Sequence, residues 1–333
     1  MHSWTILAAA MLIAALLSAA GLAILRRTLP GSFLAAGSSS RSNHVLPARQ
    51  IGGLAVIPAA LAGATIAGFS PSSLLAGAIL LLWVAGLADD WKPYGALARL
   101  ALQFVGALLA LAGTGGAPAI LGFLPWPVAL SVAAVFLVWC INMVNFMDGL
   151  DLMTASGAGL PLAFLATGLL ASGNELSPLM AGLAGGLAGF AVHNRPPARV
   201  FLGDNGSLPL GLMAGLAILT LADTAGPLAA LAPFAYYFWD SGLTILRRLR
   251  MGENILSSHS LHAYQRAFRA GFPVLRISAL VAAASVLSGT MAVTAAFCEP
   301  GILQSVAGLA GLGAGLYAWL VLDRNARKPK YAS

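Results

Sequence analysis

Residues 72–90 read SSLLAGAILLLWVAGLADD, an apolar run that carries no charge until it ends in the adjacent carboxylates Asp89 and Asp90. A helix needs about 20 predominantly apolar residues to cross the hydrocarbon core of a bilayer, so this stretch predicts a transmembrane helix. Carboxylates next to a membrane span are energetically costly, so they more often belong to a functional site than occur there by chance. Two further acidic clusters lie near the ends of apolar runs later in the chain.

The composition of the whole chain indicates a membrane protein. Of its 333 residues, 59% are hydrophobic and 9% are charged, which is too few to cover a water-soluble globule with polar groups. Eleven long stretches contain few charges: residues 4–25, 51–69, 72–88, 100–117, 121–141, 154–173, 177–192, 208–222, 225–246, 273–298 and 301–322. The sequence therefore predicts an all-α, polytopic membrane protein with about eleven transmembrane helices, forming one domain over residues 1–333.

The distribution of Lys and Arg predicts the orientation. All 18 lie in or beside alternate connecting segments or in the C-terminal tail, and such residues are retained on the cytoplasmic side. We therefore expect a periplasmic N-terminus, a cytoplasmic C-terminus and five inner loops: residues 26–50, 89–99, 141–153, 193–207 and 247–272. The opposite turns, which carry no Lys or Arg, lie near Ser70, Gly115, Asn174, Asp223 and Glu299.

The net charge of +7 follows from the same distribution and favours anionic headgroups or phosphates as partners. Nucleic-acid binding is not expected, because the chain has no soluble basic domain. Its two cysteines, Cys140 and Cys298, are predicted to lie on opposite sides of the membrane, which excludes a disulfide framework or a cysteine metal site.

The first acidic cluster is the pair Asp89-Asp90. Neighbouring carboxylates repel each other, so the pair needs water, a cation or a basic partner, which Lys92 or Arg99 can supply. The alternative is a solvated helix end without function.

The second cluster reads Asn142-Met-Val-Asn145-Phe-Met-Asp148-Gly149-Leu150-Asp151. If the preceding helix continues to its inner end, Asn142, Asn145 and Asp148 share one face, and Gly149 provides a turn. Amide and carboxylate oxygens suit Mg²⁺, which is often shared between protein oxygens and substrate phosphates. The alternative is that the asparagines merely cap the helix.

The third cluster, Phe201-Leu-Gly203-Asp204-Asn-Gly-Ser207, opens the next apolar stretch. Its glycines allow close backbone approach, and the N–H groups at a helix start favour phosphate. Asp204 is expected to complete a metal site with the second cluster.

The last inner loop contains His259 and His262, three residues apart, followed by Arg266. No cysteine or glutamate stands at zinc-site spacing, so we expect these histidines to contact phosphate or handle a proton.

These motifs, in this order, resemble the polyprenyl-phosphate N-acetylhexosamine-1-phosphate transferases, and the resemblance covers nearly the whole chain. The first inner loop adds His44-Val-Leu-Pro47 before the pair Gly52-Gly53. That loop has Arg49-Gln-Ile directly before the glycines, where the family often has Pro-Arg, so the basic residue that meets substrate is left open.

The resemblance implies transfer of a sugar-1-phosphate from a UDP-N-acetylhexosamine to undecaprenyl phosphate, with release of UMP, at the cytoplasmic face of a bacterial inner membrane. Mg²⁺, or alternatively Mn²⁺, is the implied cofactor, with Asn145, Asp148 and Asp204 as its ligands. The implied catalytic residues are Asp89, Asp90, Asp148, His259 and His262, and the implied substrate-binding residues are His44, Asn142, Asp151, Phe201 and Arg266.

The resemblance is closer to the branch that initiates O-antigen synthesis than to the peptidoglycan branch, whose last motif usually has three consecutive histidines. Two alternatives from other classes remain. Acids among many spans also mark ion-coupled or lipid-linked substrate transporters, although transporters usually place them near the midplane. An inactive scaffold that has kept the fold is the third interpretation.

Overall fold

The computed structural model describes residues 2–35, 48–254, 260–298 and 301–327, and within these ranges the chain forms helices and isolated bridges but no strand. The α-helices are α1 His2–Thr28, α2 Gly52–Ile66, α3 Ser73–Trp91, α4 Ala96–Gly113, α5 Trp126–Met147, α6 Leu160–Ala171, α7 Ser177–Asn194, α8 Asp204–Ala225, α9 Pro227–Leu231, α10 Ala235–Arg250, α11 Ala263–Arg269, α12 Val274–Ala296 and α13 Ile302–Ala326. A π-helical segment, Ala155–Gly159, leads into α6, and a 3₁₀ turn, Ala232–Phe234, joins α9 to α10. The all-α prediction is confirmed.

Seven of the described helices are long and apolar enough to cross a membrane: α1, α3, α4, α5, α8, α12 and α13. Helix α2 is apolar but shorter, as is α6 together with the π-helical segment before it. These helices agree with a polytopic membrane protein. Eleven crossings, and the sides on which the termini lie, stay predictions.

Helix α8 lies at the centre of the bundle. Its spanning window is 78% buried within the protein, whereas that of α1 is only 28% buried. Helix α8 packs against α2, α3 and α5, and Gly211 allows a close approach to α5, since a Cβ there would lie 2.6 Å from the Ile141 Cα atom. Small residues play this role in lipid, where close van der Waals contact drives helix association.

The two ends of the bundle differ in chemistry. The turns near Ser70, Gly115, Asn174 and Asp223, all free of Lys and Arg, line one cavity of about 400 Å³. The predicted outer turns within the described ranges therefore share one end, as expected.

At the opposite end, the backbone of the first inner loop pairs with the segment that precedes α8. The Phe201 N–H donates to the Arg49 carbonyl at 2.9 Å, and the N–H groups of Gly52 and Gly53 donate to the carbonyls of Phe201 and Leu202 at 2.9 and 2.8 Å. This pairing joins the start of α2 to the start of α8, which is where two of the sequence motifs lie.

Candidate active site

Helix α8 begins at Asp204, directly after Gly203, whose φ of 77° lies in the left-handed region that glycine favours. Its first N–H groups receive no cap from their own segment. Instead, Asp90 at the end of α3 accepts the Asp204 and Asn205 N–H groups, one on each carboxylate oxygen, both at 2.9 Å. Asp90 thus satisfies donors that would otherwise be orphaned, and it joins α3 to α8.

This contact changes one expectation. The N–H groups at the start of α8 were predicted to favour phosphate, but in the structure they bind the Asp90 carboxylate, and the Asn205 side-chain amide donates to it as well. The physical reason is that a carboxylate suits the positive end of a helix as well as phosphate does. Asp90 therefore positions Asp204.

Asn145 connects α5 to the same point. Its Nδ2 atom donates to Asp204 Oδ1 at 2.8 Å and to Ser207 Oγ at 2.9 Å. The Asp204 carboxyl group also lies within hydrogen-bonding contact of the Asp89 carboxyl group. Two carboxyl groups in contact require a shared proton or a cation between them, because both cannot remain ionised without compensation.

Asp148 ends α5 on this side of the bundle. It accepts a hydrogen bond from the Thr154 hydroxyl at 2.5 Å, and the Gly203 N–H also donates to it. Burial raises the pKa of Asp148 to about 7, with the negative charge of Asp90 adding to the effect and the Thr154 and Gly203 donors opposing it. A cation bound beside Asp148 would favour its ionised form and so oppose this shift.

Asp89 is buried, with a relative exposure of 7%, and this overturns the interpretation of a solvated helix end. Its carboxylate forms an ion pair with Arg99 at 2.9 Å and accepts the Tyr94 N–H at 3.1 Å. Among the described residues, Arg99 rather than Lys92 is thus the basic partner. The pair holds the loop between α3 and α4 against the acid cluster, which we define as Asp89, Asp90, Asn145, Asp148 and Asp204.

The acid cluster can be tested for its fit to a divalent cation. Asp90, Asn145, Asp148 and Asp204 are each half-buried, so water and ligands can reach them. No three His, Cys, Asp or Glu side chains within the described ranges converge as a complete metal site. Mg²⁺ usually takes one or two protein carboxylates and completes its octahedron with water and substrate phosphates, so this donor set fits a cation shared with substrate.

Three of the predicted substrate-binding residues are engaged elsewhere. Asn142 is directed to α4, where its Nδ2 donates to Gln103 Oε1 at 2.6 Å, so it does not join Asn145 and Asp148. Asp151 is buried and accepts the Ala198 N–H at 3.0 Å. Arg266 donates to Asp323 on α13. In the structure these three side chains brace the inner end.

Gly149 lies in the bend that follows α5, where the chain was expected to turn. The left-handed residue in this segment is Leu152, with a φ of 60°, and its N–H is held by Asn194 Oδ1 at 2.7 Å. Gly149 also leaves room for Tyr264, because a Cβ there would lie 2.2 Å from the Tyr264 hydroxyl oxygen. That hydroxyl donates to the Phe146 carbonyl at the end of α5.

His262 is held beside this contact by a residue that sequence reasoning missed. It is 1% exposed, and its Nδ1 atom lies 3.5 Å from Asp240 Oδ1. The fully buried Asp240 carboxylate on α10 also accepts the Ala263 N–H at 2.8 Å and the Tyr236 hydroxyl at 2.8 Å. A signal was present, since Asp240 is a lone acid within the apolar stretch 225–246.

Two of the remaining predicted residues, His44 and His259, lie outside the described residues. Phe201 is half-buried at the entry to α8. In the first inner loop, the Arg49 guanidinium donates to the carbonyls of Leu29 and Arg26 at 3.0 and 2.9 Å, so it caps the end of α1.

Comparison with known protein families and sequences finds relatives of this chain. Residues 72–222 match the family described as Glycosyl transferase family 4. The chain is 36% identical over 230 residues to a phospho-N-acetylmuramoyl-pentapeptide-transferase of a Synechococcus species, covering 62% of this chain and 65% of that protein. It is 30% identical over 320 residues to a decaprenyl-phosphate N-acetylglucosaminephosphotransferase of Mycolicibacterium smegmatis, covering 81% of this chain and 77% of that protein.

A decaprenyl-phosphate N-acetylglucosaminephosphotransferase of Mycobacterium leprae is also 30% identical, over 72% of this chain and 71% of that protein. The chain thus spans just under two thirds of the cyanobacterial relative and more than two thirds of the mycobacterial ones. The matched region contains α3, α5 and the start of α8, and so the whole acid cluster. The protein is an integral membrane protein that belongs to the polyprenyl-phosphate hexosamine-1-phosphate transferase family.

Proposed function

We propose that the protein transfers N-acetylhexosamine-1-phosphate from a UDP-sugar to undecaprenyl phosphate and releases UMP. The observation that carries this proposal is the convergence of α3, α5 and α8, which brings Asp90 and Asn145 into hydrogen-bonding contact with the first turn of α8 at Asp204. Support also comes from the mycobacterial relatives, whose names describe transfer of a sugar phosphate to a polyprenyl phosphate.

In the proposed reaction, an oxygen of the lipid phosphate attacks the phosphorus that carries the sugar. The bond from that phosphorus to the bridging oxygen of UMP breaks, and UMP leaves with the bonding electrons. When bound, Mg²⁺ supplies charge neutralisation for the pyrophosphate and makes UMP a better leaving group. Asp204 and Asn145 would hold the ion, with Asp148 beside them.

The remaining residues of the acid cluster prepare this arrangement. Asp90 fixes the first turn of α8, and the Arg99 ion pair orients Asp89 toward Asp204. A phosphate monoester is already largely ionised at neutral pH, so the lipid phosphate needs to be positioned more than deprotonated. His262 was expected to contact phosphate, but it is 1% exposed and lies against Asp240, so we propose that it supports the inner end of the site and does not touch the phosphates itself.

We further propose that the active site faces the cytoplasm of the inner membrane, as the Lys and Arg distribution predicts. The product would initiate O-antigen or a related cell-envelope polysaccharide. The last motif, which lacks three consecutive histidines, supports this assignment, whereas the relatives are named for transfer of phospho-N-acetylmuramoyl-pentapeptide or for decaprenyl phosphate and N-acetylglucosamine. Assay of a panel of UDP-N-acetylhexosamines identifies the donor.

The test is UMP release by the purified protein from a UDP-N-acetylhexosamine, with undecaprenyl phosphate and Mg²⁺ both required. Asp204→Asn is expected to abolish transfer while the protein still folds, because it removes one carboxylate oxygen from the cation site. Asp223→Asn is the matched control: Asp223 lies near the opposite end of the same helix, where its carboxylate accepts the Ala119 and Ile120 N–H groups. Wild-type turnover in Asp204→Asn, or solute flux without UMP release, would contradict the proposal.

A further inference from the structure

A further cavity, of about 330 Å³, lies between α10, α11 and α13 and is lined by charged side chains. Four arginines line it, and they come from all three helices: Arg247, Arg250, Arg266 and Arg327. Asp323 is the acidic residue in its lining, and none of its lining residues belongs to the acid cluster.

The positive charge of this cavity is only partly neutralised. Asp323 binds Arg266 through Oδ1 and Arg327 through Oδ2, so one carboxylate is shared between two guanidinium groups. Arg247 and Arg250 are exposed, and neither pairs with a carboxylate among the residues that the structure describes. Both side chains extend from the C-terminal turn of α10, where the helix dipole stabilises positive charge. Their guanidinium groups can still attract an external anion.

The other side of the cavity is apolar. Leu243, Leu246, Met251 and Trp319 line it, and the side chains of Leu246 and Met251 are 41% and 50% exposed. Tryptophan is enriched where hydrocarbon meets water, and its N–H here is buried without an acceptor among the described residues. A ligand that fills this cavity must therefore present an anion to the arginines and an apolar chain to Leu246 and Met251.

We propose that this cavity binds the headgroup of an anionic glycerophospholipid, with the acyl chains against the apolar side. A basic pocket between helices on the side where Lys and Arg collect is suited to such headgroups. Inorganic phosphate has no apolar group that could pack against the exposed side chains of Leu246 and Met251, whereas the acyl chains of a phospholipid can cover them. The inference uses no residue of the acid cluster, and its test leaves unchanged Arg266, the one lining residue that the resemblance implied for substrate binding.

In the experiment, the full chain in neutral detergent is titrated with phosphatidylglycerol or with phosphatidylcholine of the same acyl chains. Native mass spectrometry measures the bound lipid. We expect tighter binding of phosphatidylglycerol. Arg247→Gln/Arg250→Gln is expected to weaken that binding on the order of 30-fold, because each arginine near a lipid surface contributes a several-fold factor. Arg247→Lys/Arg250→Lys, which keeps the charge, should retain most of the preference.

The matched control is Arg195→Gln/Arg324→Gln, which removes two exposed arginines outside the cavity. It should bind phosphatidylglycerol as the unmodified protein does. Equal affinity for the two lipids, or the same loss in both double variants, overturns the proposal. Displacement of phosphatidylglycerol by millimolar inorganic phosphate also overturns it, since that result identifies a site for a soluble anion.

Discussion

The contact of Asp240 with the loop that carries His262 gives the most direct test of how the inner end is built. Asp240 Oδ1 accepts the Ala263 N–H at 2.8 Å and the Thr244 hydroxyl at 3.2 Å. Its Oδ2 accepts the Tyr236 hydroxyl at 2.8 Å. Substitution at Asp240 therefore releases the start of α11 from α10 and removes the partner of His262.

The expected cost follows from the donors that are left unpaired. Asp240→Ala leaves the Ala263 N–H and the Tyr236 hydroxyl buried without an acceptor, and at about 1–3 kcal/mol each the loss is about 2–6 kcal/mol. The Thr244 hydroxyl adds little, because it can donate to the backbone carbonyl of residue 240 one turn earlier. Asp240→Asn keeps one oxygen for Ala263, and its Nδ2 can donate to the Tyr236 hydroxyl, which then accepts. Only the charge on these bonds is lost, at a cost of about 1–2 kcal/mol.

The assay is thermal unfolding of the purified protein, followed by UMP release. At about 2 °C per kcal/mol for a chain of this size, Asp240→Ala should unfold roughly 4–12 °C lower and Asp240→Asn roughly 2–4 °C lower. In the asparagine variant we also expect a lower kcat with little change in the KM for the UDP-sugar, because the acid cluster is intact while His262 has lost its carboxylate partner.

Tyr236→Phe is the control of similar stability. It removes one hydrogen bond from the same carboxylate, at a cost of about 0.5–1.5 kcal/mol, and leaves the Ala263 and His262 contacts in place. Its kcat should therefore equal that of the unmodified protein. The reasoning fails if Asp240→Ala unfolds at the original temperature, or if Tyr236→Phe loses as much kcat as Asp240→Asn.

Two further predictions concern the contacts around α3 and α8. A Cβ on Gly53 would lie 2.1 Å from Asn205 Oδ1, so Gly53→Ala should lower the unfolding temperature and UMP release, whereas Gly77→Ala, with open space around it, should leave both unchanged. Arg99→Gln leaves the buried Asp89 carboxylate without its cation and should lower stability by about 1–3 kcal/mol. Adding Asp89→Asn should recover part of that loss in a thermal melt, and a purely additive result would show that the ion pair is not coupled.

Much of the architecture could be predicted from linear patterns. Long apolar runs specify membrane helices because lipid offers no partner for an exposed backbone, so each segment must satisfy its own hydrogen bonds. All eleven predicted stretches correspond to helical segments. The positions of the motifs at helix ends were likewise visible, which is why Asp204 was expected to complete a site with Asn145 and Asp148.

Other parts of the site could not be predicted in this way. Asn142 has the same spacing and residue type as Asn145, yet it faces Gln103 on α4, because the rotation of α5 is set by its packing against α4, α8 and α10. The contact of Gly149 with Tyr264 was hidden for a similar reason, since the side chain that requires the small size of Gly149 comes from a segment more than 100 residues later.

Hydrophobicity and charge act locally along the chain, so the linear pattern was enough to show that the chain lies in a membrane, roughly where its helices run, and which segments carry the polar chemistry. What each polar group touches depends instead on how the helices pack. Asp90 and the Asp204 N–H are 114 residues apart, and they meet because glycine-mediated packing places α3 and α8 in contact. In lipid this packing depends on shape, which an apolar sequence pattern does not encode.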